Sequence, residues 1–94
     1  MKDMTAAQKS QLRSLAHSLK PVVIIGSNGL TDNVLQEIDR ALFDHELIKI
    51  SIKTADKKAS KQISREICEH TQAKLIQTIG HIIVIYRKLP RDYP

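Results

Sequence analysis

Four consecutive apolar residues, Val22-Val23-Ile24-Ile25, run into Gly26-Ser27-Asn28-Gly29, and a helical pattern opens at Leu30-Thr31-Asp32. The apolar run is β-branched throughout with no alternation, so it reads as a strand buried on both faces. A strand that empties into a Gly-x-x-Gly turn and then a helix leaves backbone N–H groups near a positive helix end, where a phosphate can sit. The glycines remove the Cβ atoms that would hold a ligand's backbone away, and they permit positive φ where the turn needs it. Thr31 is the expected N-cap of the helix, with Leu30 and Leu35 as a hydrophobic staple around it. Val34, Leu35, Ile38, Ala41 and Leu42 form its buried face. Asp32 in the first turn is favoured by the dipole, and it competes with any phosphate brought there. From Leu47 to Lys53 the pattern alternates: Ile48, Ile50 and Ile52 toward a core, Lys49, Ser51 and Lys53 toward a wet, basic face. Strand, helix and strand make a βαβ unit, expected to be right-handed with parallel strands.

The flanks complete the pattern. Thr5-Ala6-Ala7-Gln8 is a capping box that opens a first helix, with Leu12, Leu15, Ala16 and Leu19 as its apolar stripe and Lys9, Arg13 and Lys20 off it. Pro21 ends that helix by pushing Lys20 out of the α region. A third helix opens at Asp56 and turns Ala59, Ile63 and Ile67 inward. Lys74–Thr78 and His81–Arg87 are two strands joined at Gly80 by a tight hairpin turn. Arg87, Lys88 and Arg91 follow as a basic end with Pro90 and Pro94. The order is αβαβαββ. The expected fold is an α/β one, a single compact domain over residues 1–94 with a four-stranded mixed sheet.

Charge separates the two halves. Residues 1–47 hold five basic and six acidic side chains, and residues 48–94 hold ten basic and four acidic. A net of +6 in one half favours an anionic partner, nucleic acid before membrane. Lys57, Lys61 and Arg65 fall on one row of the third helix, with Lys58 beside it. Cations near a helix N-terminus oppose its dipole by roughly 0.3–1 kcal/mol each, and like charges at i, i+4 repel by a few tenths more. Asp56 as N-cap offsets only part of this. Such a local conflict is expected at a functional surface.

Other chemistries lack their residues. A nucleotide-binding P-loop needs Gly-x-x-x-x-Gly-Lys-Ser/Thr, and a dinucleotide fingerprint needs a third glycine. The loop here is two residues shorter, has no lysine after it and no third glycine. Cys68 and His70 point to different sides of their helix, and His17, His45 and His81 show no ligand spacing. Cys68 reads as a small core or half-buried residue; as the single cysteine it excludes an internal disulfide and suits a reducing cytoplasm. No run approaches the ~18 apolar residues of a membrane span, and the polar start Met1-Lys2-Asp3 has no signal-peptide core. No enzyme, metal or cofactor is expected. Phe43, Tyr86 and Tyr93 are too few for a base-stacking platform. Backbone binding remains, with glycines for close approach and Lys/Arg rows for phosphate charge. The alternative is a protein-interaction module that docks an acidic protein on its basic face.

The stretch Pro21–Thr31, followed by Ala41-Leu42, His45-Glu46-Leu47-Ile48-Lys49-Ile50 and Ile85-Tyr86-Arg87, resembles the YhbY family of bacterial proteins. These are stand-alone members of the CRM (chloroplast RNA splicing and ribosome maturation) domain group, and the resemblance runs over nearly the whole chain. It implies a fold similar to the C-terminal domain of translation initiation factor three and a glycine loop similar to the nucleic-acid clamp of KH domains. It also implies an RNA-binding protein that associates with precursors of the large (50S) ribosomal subunit and takes rRNA as its partner; a cytoplasmic monomer is expected. Gly26, Ser27, Asn28 and Gly29 would then take the RNA backbone. Lys53, Lys57, Lys58, Lys61 and Arg65 are the leading electrostatic candidates, and Lys20, Arg87 and Lys88 come second. Family members often carry glycine after the Tyr-Arg pair, where this chain has Lys88.

Overall fold

The computed structural model describes residues 4–54 and 56–89; the polar start, Tyr93 and the basic end at Arg91 with Pro90 and Pro94 lie outside them. Seven elements follow in the expected order: α1 (Ala6–Ala16), β1 (Pro21–Ile25), α2 (Asp32–His45), β2 (Leu47–Ile52), α3 (Lys57–Thr71), β3 (Lys74–Ile79) and β4 (Ile82–Tyr86). The four strands form one sheet in the order β1-β2-β4-β3. β1 runs parallel to β2, whereas β4 is antiparallel to both β2 and β3.

Each helix start uses the expected cap. The Thr5 hydroxyl accepts from the Gln8 N–H at 3.1 Å while the Thr5 N–H donates to the Gln8 carbonyl oxygen Oε1 at 2.9 Å. The Thr31 hydroxyl accepts from the Val34 N–H at 3.2 Å, and Asp56 Oδ1 accepts from the Lys58 N–H at 2.9 Å. Each satisfies a donor that the first helical turn leaves without a partner. The β3–β4 hairpin closes over Gly80-His81, with Gly80 at a φ of +56°. Glycine with positive φ at the first turn position is the pattern of a two-residue type II′ turn.

Strand alternation sorts the side chains into two layers. Val23, Ile25, Ile48, Ile50, Ile52, Ile83 and Ile85 pack under Ile38 and Leu42 of α2 and Ile67 of α3. The other sheet face carries Ile76 and Val84, covered by Ala16 and Leu12 of α1, with Leu47 and Tyr86 beside them. The sheet is therefore sandwiched, with α2 and α3 on one side and α1 on the other.

Two expectations about burial are corrected here. β1 is not covered on both faces: Val23 and Ile25 are buried, but Val22 is 51% exposed and Ile24 59%. β1 is an edge strand and α1 packs on β2 and β3, so among the described residues no helix covers the outer face of β1 closely. Nor is the second face of β2 a wet, basic one. α1 packs against it, Ser51 is buried and Lys49 is half-buried, while Lys53 lies past the strand end. The first helix also stops earlier than Pro21 requires. It ends at Ala16, the His17 N–H donates back to the Arg13 and Ser14 carbonyls, and Leu15 and Leu19 remain largely exposed. Only the Leu12–Ala16 part of the stripe is used, because a single helix lying on one sheet face contacts it along a narrow line.

Candidate nucleic-acid interface

Parallel pairing decides which candidate residues meet. β1 and β2 finish at the same end of the sheet, so the glycine turn that follows β1 and the start of α3 that follows β2 lie at one end of the fold. The Lys53 N–H donates to the Ile25 carbonyl at 2.8 Å, which fixes Lys53 against the residue that precedes Gly26. β4 starts at this end too, and the Ile52 N–H donates to the carbonyl of His81 in the hairpin at 2.7 Å.

Within the turn, the Gly29 N–H donates to the Gly26 carbonyl at 3.0 Å, and Ser27 and Asn28 stand exposed between them. The two glycines have different reasons to be there. Gly29 sits at a φ of +71°, where an L side chain is strained by roughly 1–2 kcal/mol. Gly26 is outside that region, and a Cβ built on it meets nothing within 4 Å. Among the described residues, packing does not require glycine at 26, and the space beside it is open. The start of α2 is a poor isolated-phosphate site, because Thr31 takes one N–H and Asp32 puts a carboxylate in the first turn.

Lys57 and Lys58 occupy the first turn of α3 at this end, and Lys61 and Arg65 continue the row, all four exposed. The row from Lys57 to Arg65 extends about 12 Å along the helix axis at 1.5 Å per residue. Lys61 and Arg65 also border a groove of about 630 Å³ between α3 and β3, whose opposite wall carries Lys74. Lys74 escaped notice in the sequence, where a single lysine opening a strand has no pattern of its own. It lines the same groove as Arg65 because β3 packs along α3.

The second-rank candidates lie elsewhere. Lys20 precedes β1, about 17 Å from the glycine turn for a five-residue strand. Lys88 is exposed just past β4, whose end pairs with the start of β2 and so lies away from the loop. Arg87 is already engaged. Its guanidinium donates to the Asp39 carboxylate and backbone carbonyl on α2 and to the Thr71 carbonyl that ends α3. It therefore ties β4 to both helices rather than facing a ligand. The candidate set is thus one cluster (the loop, Lys53, Lys57, Lys58, Lys61 and Arg65) and three residues outside it.

Two ionisable groups are shifted by their surroundings. Burial raises the Cys68 thiol above its ordinary value, which disfavours the thiolate. Burial first, and then the nearby Glu46 carboxylate, raise the Tyr86 phenol. Among the described residues no cluster of three metal-ligating side chains exists, and no helix is long and apolar enough to cross a membrane.

Comparison with known proteins identifies the family and the fold. The CRS1 / YhbY (CRM) domain model matches residues 4–87. A Haemophilus influenzae protein named "RNA-binding protein" is 48% identical over 93% of this chain and 88% of its own length. A Pseudomonas aeruginosa protein named "Probable RNA-binding protein PA4753" is 43% identical over 94% of this chain and 85% of its own. The solution structure of the Staphylococcus aureus protein SAV1595 superposes with a TM-score of 0.81 at 36% identity, covering 97% of this chain and 95% of that one. With a family match from the first helix to the last strand and relatives identical at more than two-fifths of the aligned residues, this chain belongs to the CRS1/YhbY (CRM) domain family.

Proposed function

We propose that this protein binds RNA by its phosphate backbone and acts on precursors of the large ribosomal subunit during assembly. The observation that carries the reading is the convergence of an open glycine turn with the basic start of α3 at one end of the parallel β1/β2 pair. Relatives that bear RNA-binding names support the choice of RNA, and the resemblance to the YhbY family supports the large subunit. In this reading Gly26, Ser27, Asn28 and Gly29 let the RNA backbone approach closely, in the manner of a KH clamp. Lys53, Lys57, Lys58, Lys61 and Arg65 neutralise its phosphates. Shape and charge carry the recognition, with little base readout. The protein acts as a cytoplasmic monomer, without catalysis or cofactor.

The two glycines separate folding from binding. Gly26→Ala is expected to leave thermal stability within about 0.5 kcal/mol, because its Cβ meets no neighbour. RNA affinity should nevertheless fall about fivefold, roughly 1 kcal/mol, as measured by fluorescence anisotropy. An unchanged affinity removes the turn from the interface. Gly29→Asp adds a carboxylate to the same turn and should damage RNA binding, whereas an acidic protein docked on α3 would be unaffected by it. For the target, crosslinking in cells followed by sequencing of the attached RNA should recover one region of large-subunit rRNA. Random transcripts would reduce the function to general RNA affinity.

A further inference from the structure

On the sheet face opposite α2 and α3, a hollow of about 310 Å³ lies between α1 and the strands beneath it. Arg13 and His17 border it from α1 and its cap, and Lys49 borders it from β2. Ser10, Ser14 and Gln77 add neutral hydrogen-bonding groups, and no carboxylate lines it. Arg13 and Lys49 are both half-buried, and neither has an ion-pair partner among the described residues. Two half-buried cations that line one hollow with no carboxylate beside them favour an anion there.

Arg13 alone has a structural explanation. It lies in the last turn of α1, where a cation complements the dipole. That helix end is equivalent to about half a negative charge, and one cation suffices for it. Lys49 comes from a different element and is not needed there. Two full positive charges against about half a negative one leave the hollow distinctly electropositive. The hydroxyls, the amide and the imidazole supply directional donors of the kind that hold phosphate oxygens.

We infer that this hollow is a second phosphate site, which takes an RNA phosphodiester on the face of the sheet opposite the α3 row. The inference rests on the RNA-binding reading above and extends it. With phosphate contacts on both faces, the protein holds two RNA segments, or one segment that passes round the edge of the sheet. It would thus serve as a bridge within folded RNA as well as a one-sided reader of a strand.

Backbone-amide NMR mapping tests it, with a single-stranded RNA oligonucleotide and with inorganic phosphate as separate probes. The oligonucleotide should shift Ser14, His17 and Lys49 as well as the 26–29 turn and α3. In the double variant Arg13→Gln, Lys49→Gln the first group should stay still while the turn and α3 still move. The salt dependence of binding should flatten by a log–log slope of about 1.4, two contacts at about 0.7 each for a single strand. If RNA shifts only the turn and α3, the hollow is not an RNA site and the function proposed above stands. A hollow that responds to inorganic phosphate and not to RNA is a free-anion site, and the inference fails. RNA that shifts nothing overturns both readings. The wild-type map requires no variant and decides the matter should the double variant unfold.

Discussion

Replacement of Lys57, Lys61 and Arg65 by alanine is expected to lower RNA affinity about a hundredfold at 0.1 M salt. The estimate follows from counterion release. Each phosphate contact on a single strand contributes a log–log salt slope of about 0.7, so three lost contacts flatten the slope by about two. Over the tenfold range from 1 M salt, where the electrostatic part vanishes, to 0.1 M, that slope is worth about two orders of magnitude. The three side chains are exposed; Lys57 opposes the α3 dipole, and the i, i+4 neighbours repel one another in the free protein. Their removal should accordingly leave the melting temperature unchanged or slightly raised. Titrations at four or five salt concentrations read the slope directly. A slope equal to that of the wild type would take the α3 row out of the interface, whatever the change in affinity at one salt concentration.

Arg87→Ala is expected to act in the opposite way, lowering stability by about 2 kcal/mol with little effect on RNA affinity. The ion pair itself contributes little, since the Asp39 side chain is 62% exposed. The larger loss is at the Thr71 carbonyl, which ends α3 and accepts from the guanidinium at 3.0 Å. A partly buried carbonyl left without its donor costs roughly 1–3 kcal/mol, and a cation at a helix C-terminus also favours the dipole. For a domain of this size about 2 kcal/mol lowers the melting temperature by roughly 10 °C. Arg87→Lys should recover little of it, because one ammonium cannot reach the three oxygens that the planar fork holds. A variant that melts like the wild type and binds RNA weakly would return Arg87 to the interface.

The contrast between these residues shows where the sequence is legible. The α3 row is a periodicity: cations at i, i+4 and i+8 stand on one face of any helix that forms there, and the face opposite Ile63 and Ile67 is solvent. Arg87 has no such local signature. Its partners lie on α2 and at the end of α3, 48 and 16 residues away in the chain. A lone arginine after a strand therefore looks the same whether it is free or engaged. Lys49 is a similar case. Alternation places it correctly on the face away from Ile48 and Ile50, but what covers that face depends on where α1 packs.

Local order was determined by the sequence alone. Caps at Thr5, Thr31 and Asp56, the glycine turn, the hairpin at Gly80 and the αβαβαββ order follow from interactions between residues a few positions apart. Only the tertiary structure decided strand order, and with it that β1 lies at an edge with Val22 and Ile24 uncovered. It also decided that Lys53 and the start of α3 lie at the same end of the fold as the glycine turn while Lys20 and Lys88 do not. The physical reason is that hydrophobic burial is non-directional. An apolar run is satisfied by any covering layer, so it specifies that a strand forms but not which neighbours it takes. The hydrogen-bonded pairing of β1 with β2 makes that choice, and it thereby determines which of the chain's cations share a surface.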